Sequence, residues 1–175
     1  SADSHAIMMS ANLRRRAVAL LAVALVTSGL AACGGSEPTI VADQEADAFI
    51  YQQGDRALER GRWLSAREYL RRLVDTYPTS QHRQDAKLGI GDSYIGEKRV
   101  ESDILAVSEF REFLRFFPLA ARADYAQYRL AVATIRQTLS PDRDQTATVD
   151  ALRELAVFRT NYPSSQYMSE VLTLE

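Results

Sequence analysis

The sequence is poor in the residues that build stapled or metal-bound folds. Cysteine occurs once, at Cys33, so no disulfide can form within the chain. Histidine occurs twice, at His5 and His82, far apart in sequence, which excludes the usual Cys/His transition-metal spacing. Lysine is limited to Lys87 and Lys98, and the formal charge is −2. Nucleic-acid binding needs a basic face, and this balance offers none. No nucleophile motif or paired-histidine spacing occurs. Long apolar runs are short as well: Ala17 to Ala32 is broken by Ser28 and Gly29, whereas a spanning helix takes roughly 20 apolar residues. What remains is ordinary globular composition, 46% hydrophobic and 25% charged, enough for one domain with a modest core.

The N-terminus has the order of an export signal. Arg14, Arg15 and Arg16 precede the apolar run, and Leu30-Ala31-Ala32-Cys33 closes it with small residues. That last tetrad resembles the lipobox of bacterial lipoproteins, which implies cleavage before Cys33 and covalent lipid on its thiol. Residues 1–32 then read as signal, with the start at Met8 or Met9, and residues 33–44 as the lipidated cysteine and a flexible tether containing Gly34-Gly35-Ser36-Glu37-Pro38. Gly34 stands where, in the resembling lipoproteins, an aspartate would retain the protein in the inner membrane, so the implied address is the outer membrane, facing the periplasm.

Residues 45–175 read as an all-α repeat domain. One unit recurs three times: Ala66, Leu70, Leu73, Pro78; Ala106, Phe110, Phe113, Pro118; Ala151, Leu155, Phe158, Pro163. The offsets from alanine are +4, +7 and +12 in every copy, and an aromatic (Tyr77, Phe117, Tyr162) precedes each proline. Positions four and seven apart share a helix face, and the proline forbids helical geometry in the residue before it. The unit resembles the second helix of the tetratricopeptide repeat, and Ile90-Gly91-x2-Tyr94 matches the first. Gly54 and Ala131 take the place of Gly91 in the other copies. The expected architecture is a solenoid of antiparallel helix pairs at about 47–80, 84–120 and 124–165, followed by a partial repeat. Helices are expected at 45–59, 63–76, 82–96, 102–116, 121–138 and 146–160, with another starting near Ser164. The prolines lie 40 and 45 residues apart rather than the usual 34, which puts extra length around Glu97 to Asp103 and Gln137 to Asp150.

First helices line the inner face of such a solenoid. The groove positions are Tyr51 and Asp55; Leu88, Asp92 and Ile95; and Tyr125, Tyr128, Val132, Ile135 and Arg136. Tyrosine gives contact area at low entropy cost, and a guanidinium could meet a peptide carboxylate. Some of these side chains are equally suited to packing between repeats. Arg56, Arg60, Arg62, Arg67, Arg71 and Arg72 are interleaved with Asp55, Glu59, Glu68 and Asp75, which reads as a solvated face with Glu68 and Arg72 paired at i,i+4. Asp142-x-Asp144 lacks the later glycine and glutamate of a calcium loop, so Asp144 or Thr146 reads as a helix cap.

Several segments together resemble the BamD family of lipoproteins, components of the machinery that assembles β-barrel proteins in the bacterial outer membrane. They are the Leu30-to-Cys33 tetrad, Tyr51-x2-Gly54, Tyr77-Pro78-Thr79-Ser80, Phe110-x2-Phe113-x3-Phe117-Pro118, Asp124-Tyr125-Ala126-x-Tyr128 and the loop Asp142-Arg143-Asp144-Gln145-Thr146. The resemblance implies a non-enzymatic adaptor with no cofactor beyond the lipid on Cys33. Its implied partners are unfolded outer-membrane barrels, the barrel-forming assembly protein and accessory lipoproteins. Family members have five repeats, so three and a stub imply a chain open at its C-terminal end. The other reading is a tetratricopeptide lipoprotein of a different envelope complex, such as a pilus secretin pilotin.

Overall fold

The computed structural model describes residues 39–138 and 146–174, with side chains of the first helix from Glu45 onward. The export signal, Cys33 and the Asp142–Asp144 motif lie outside the described residues. Seven helices follow in order: α1 Thr39–Glu59, α2 Trp63–Thr76, α3 Arg83–Gly96, α4 Val100–Phe116, α5 Ala123–Thr138, α6 Thr146–Asn161 and α7 Met168–Leu172. No strand occurs among the described residues. Each helix packs on the next, as expected of stacked helical pairs.

The repeated apolar positions explain that packing. Ala66, Leu70 and Leu73 on α2, Ala106, Phe110 and Phe113 on α4, and Ala151, Leu155 and Phe158 on α6 are all buried. Each set forms one stripe along its helix and meets the preceding first helix at its small residue. A methyl group added at Gly54 would lie 2.6 Å from Leu70, and one added at Gly91 would lie 2.5 Å from the Phe110 ring. Real Cβ atoms do not approach that closely, so these glycines set the distance between the helices of a pair. In the third pair Ala131 takes the role, in one core cluster with Leu155 and Phe158.

All three repeats leave their second helix by the same turn. The N–H of the aromatic before proline donates to the +7 residue: Tyr77 to Leu73 at 2.9 Å, Phe117 to Phe113 at 2.8 Å and Tyr162 to Phe158 at 2.8 Å. Each aromatic carbonyl then accepts the N–H three residues on, from Ser80, Ala120 and Ser165. This fixed turn starts the next helix five residues after each proline, at Arg83, Ala123 and Met168. The partial repeat accordingly begins at Met168, later than the expected Ser164. At the other end α1 reaches back to Thr39, into the segment read as tether, because no residue after Pro38 breaks it.

First helices also pack on one another, α1 on α3 and α3 on α5, while successive second helices make no comparable contact. The first helices therefore form the inner side of the curve.

Candidate functional site

The inner face is built around one register position. Four residues after each repeat proline, immediately before the next first helix, stand His82, Arg122 and Tyr167. All three are planar and polar, and each reaches back across a repeat junction or lies over a ring on this face. His82 stacks on Tyr51 of α1 with ring centroids 4.6 Å apart and planes 8° from parallel. Arg122 pairs with Asp85 of α3 at 2.8 Å and lies over the Tyr125 ring at 4.5 Å. Tyr167 stacks on Tyr128 of α5 at 5.1 Å and 2°, and meets Tyr125 at 5.5 Å with the planes tilted by 54°.

Asp92, on α3, is the polar centre of this face. It accepts the Tyr125 hydroxyl at 2.7 Å and the Arg129 Nε–H at 2.7 Å. Burial, and then the Asp92 carboxylate, push the Tyr125 hydroxyl far above the usual phenol range, so it stays a hydrogen-bond donor at every physiological pH. Burial raises Tyr51 too, helped by Asp85 and Asp55. Asp124 on α5 is held in the same way, accepting the Ser165 hydroxyl at 2.7 Å.

The candidate residues do not all share this strip. Tyr51, Asp92, Tyr125 and Tyr128 come together as half-buried members of this inner strip. Asp55 is exposed, one turn beyond Tyr51 on α1. Leu88 and Ile95 leave the groove altogether: they are 1% and 5% exposed, inside the core beneath α4 and α5. A middle helix of a solenoid packs against neighbours on several sides, and those two positions face them. Arg136 is also committed elsewhere. Its Nε–H donates to Asp103 at 3.2 Å and its Nη1–H to the Ile95 carbonyl at 3.0 Å, so it clamps α5 to the α3–α4 corner and is not poised for a peptide terminus. Asp103 is raised by burial and held back by that guanidinium. Ile135 packs against the third core cluster.

Sequence reasoning missed His82, Arg122 and Tyr167 as a set. Extending the proline alignment by four positions would have found them, because all three carry planar polar groups. It missed Arg129 as well, whose pairing with Asp92 depends on how repeats rotate against each other.

With this geometry in view, the family model described as YfiO, outer membrane lipoprotein, matches residues 43–174. The chain belongs to the YfiO outer-membrane lipoprotein family. The match covers the three repeats described above and the partial fourth. A curated relative, outer membrane protein assembly factor BamD of Caulobacter vibrioides, is 31% identical over 89% of this chain. The chain spans about half the length of that relative.

Proposed function

We propose that this chain is the substrate-receiving part of an outer-membrane assembly factor, held at the periplasmic surface by lipid on Cys33. Its inner strip binds extended segments of unfolded β-barrel proteins, and its remaining surfaces scaffold the barrel-forming partner and accessory lipoproteins. The work is binding and positioning. Family membership supports the assembly role, and the relative's name supports the process. The observation carrying the binding reading is the inner strip itself: Tyr51 with His82, Tyr125 on Asp92, and Tyr128 stacked on Tyr167. These rigid, half-buried rings sit at successive repeat junctions, a surface on which an alternating apolar and polar strand finds aromatic contact and fixed hydrogen-bond partners.

The test is a calorimetric titration with a peptide copying the C-terminal strand of an outer-membrane barrel. Tyr128→Ala should weaken binding by at least ~10-fold, as truncation of an aromatic hot spot does. Tyr128→Phe keeps the ring against Tyr167 and should retain most of the affinity. Equal affinity in wild type and Tyr128→Ala, with both folded by circular dichroism, removes this strip from the binding surface.

A further inference from the structure

The arginines of the first repeat divide into two sets. Arg67 on α2 bonds Glu97 and Ser93 and lies 4.3 Å from the Tyr94 ring. Arg71 bonds Glu109 and the Tyr94 hydroxyl at 3.2 Å. Both reach forward into the second repeat. The guanidinium groups of Arg56, Arg60, Arg62 and Arg72 have no ion pair, hydrogen bond or ring contact among the described residues. The i,i+4 pairing of Glu68 with Arg72 expected from spacing does not form.

At the other described positions arginine is partnered. Arg111, Arg122, Arg129, Arg136 and Arg153 pair with carboxylates, and Arg83 and Arg115 lie over Phe117 and Phe116. Among the described residues the unpartnered set is confined to one hairpin, α1–α2. Three of its members, all solvent-exposed, border an open cavity of about 140 Å³ lined by Gln53, Arg56, Ala57, Arg60, Arg62, Ser65 and Tyr69. Every polar side chain on that wall can donate a hydrogen bond. The carboxylates of the same stretch, Asp55, Glu59 and Glu68, do not line it.

Three positive charges around one cavity, with neutral donors between them and no carboxylate on its wall, are suited to an anion. Guanidinium forks match the oxygens of a phosphate in pairs, and the hydroxyls of Ser65 and Tyr69 and the Gln53 amide can complete the shell. The fold builds the convergence locally. Positions 53, 56 and 60 share one face of α1, and 65 and 69 share one face of α2. Gly61, with φ +67°, makes the tight turn that carries Arg62 back over both.

We infer that this corner is a binding site for a phosphate ester anion, supplied by the headgroup of an anionic phospholipid. An outer-membrane lipoprotein works beside a phospholipid leaflet, and inorganic phosphate is the other source of the same chemistry. The choice of headgroup rests on the membrane-anchored reading above; the anion site does not.

Trp63 is the only tryptophan in the chain and stands beside Arg62, its ring against Gly61 and Gly96, so its fluorescence reports on this corner. The full chain carrying Cys33→Ser is titrated with monomeric dihexanoyl phosphatidylglycerol, with dihexanoyl phosphatidylcholine and with inorganic phosphate. Trp63 fluorescence and calorimetry are read in parallel. The expected result is saturable binding of phosphatidylglycerol that weakens with salt and falls at least ~10-fold in the Arg56→Gln/Arg60→Gln/Arg62→Gln variant. An Arg99→Gln/Arg115→Gln/Arg153→Gln control of the same net charge should bind like wild type. Binding of inorganic phosphate alone would overturn the headgroup assignment and keep the anion site. No signal from any probe, or equal loss in the two triple variants, would overturn the site. The variant that tests this corner leaves Tyr128 and its peptide titration untouched, so the two readings fail separately.

Discussion

Lys98 holds a backbone conformation that a side chain makes costly. It turns the chain between α3 and α4 with φ 56°, where the matching corner between α1 and α2 uses Gly61 at φ 67°. A Cβ in the left-handed region crowds its own carbonyl, which glycine avoids. Lys98→Gly should therefore stabilise the protein by about 1 kcal/mol, read as a higher urea midpoint at unchanged slope. An unchanged or lower midpoint would mean that the lysine stem compensates on the surface. At this scale the sequence was legible where a residue had one job. Gly54 and Gly91 stood out because only a missing side chain lets Leu70 and Phe110 approach. Leu88 and Arg136 were misread because groove, core and junction positions on a middle helix share the same spacing. Only the rotation of one repeat on the next decides between them.

Helices were the most legible level. Ala, +4, +7 and proline in one stretch specify a stripe, a close contact and a stop, and the expected 63–76 coincides with α2. Helix starts were less legible, because they follow the turn after proline through backbone hydrogen bonds that many side chains allow. The close contact also gives the sharpest element-scale test. Ala106 is fully buried on α4, and Ala151 is 4% exposed on α6. Ala106→Trp and Ala151→Trp each place an indole where two helices meet and should cost about 1–3 kcal/mol or more. Thermal melting of both variants at the parent temperature would show that the alanines do not stand at that contact.

Among the described residues each hydrophobic cluster crosses a repeat junction, and the same junctions are tied by polar bridges. Glu97, at the end of α3, is such a bridge, accepting from Arg67 of the first repeat and from the Ser102 hydroxyl. The Ser102 hydrogen bond first, and then Arg67, hold its carboxyl below the ordinary value of 4.5. A depressed folded value means stability that is present above about pH 4.5 and is lost as pH falls through the lower folded value. Glu97→Gln should thus be less stable than wild type by about 1–3 kcal/mol at pH 7, and the gap should close as the solution is acidified. Comparing the two proteins at each pH cancels Asp103, whose raised value works in the opposite sense. A gap that persists unchanged below pH 4 would show that the bridge acts through shape and not through charge. These bridges were illegible in sequence, since partners such as Asp92 and Arg129 are 37 residues apart and nothing local links them.

Contact between like helices is one-sided, and this has a mechanical consequence. First helices touch their successors along the inner line, while second helices are not tied to one another along the outer rim. The inner line is the spine of the stack, and each leaf is joined to the next by its second helix, packed on the following first helix through a shared core. A change of curvature swings the outer rim through the wider arc, while the spine lengthens little. A guest lying along the spine, where Tyr51, Asp92, Tyr125 and Tyr128 are found, grips the part that moves least. A partner clasping the rim has the longer lever, and by spreading or pinching the leaves it can change the spacing of the rings along the spine without touching the guest.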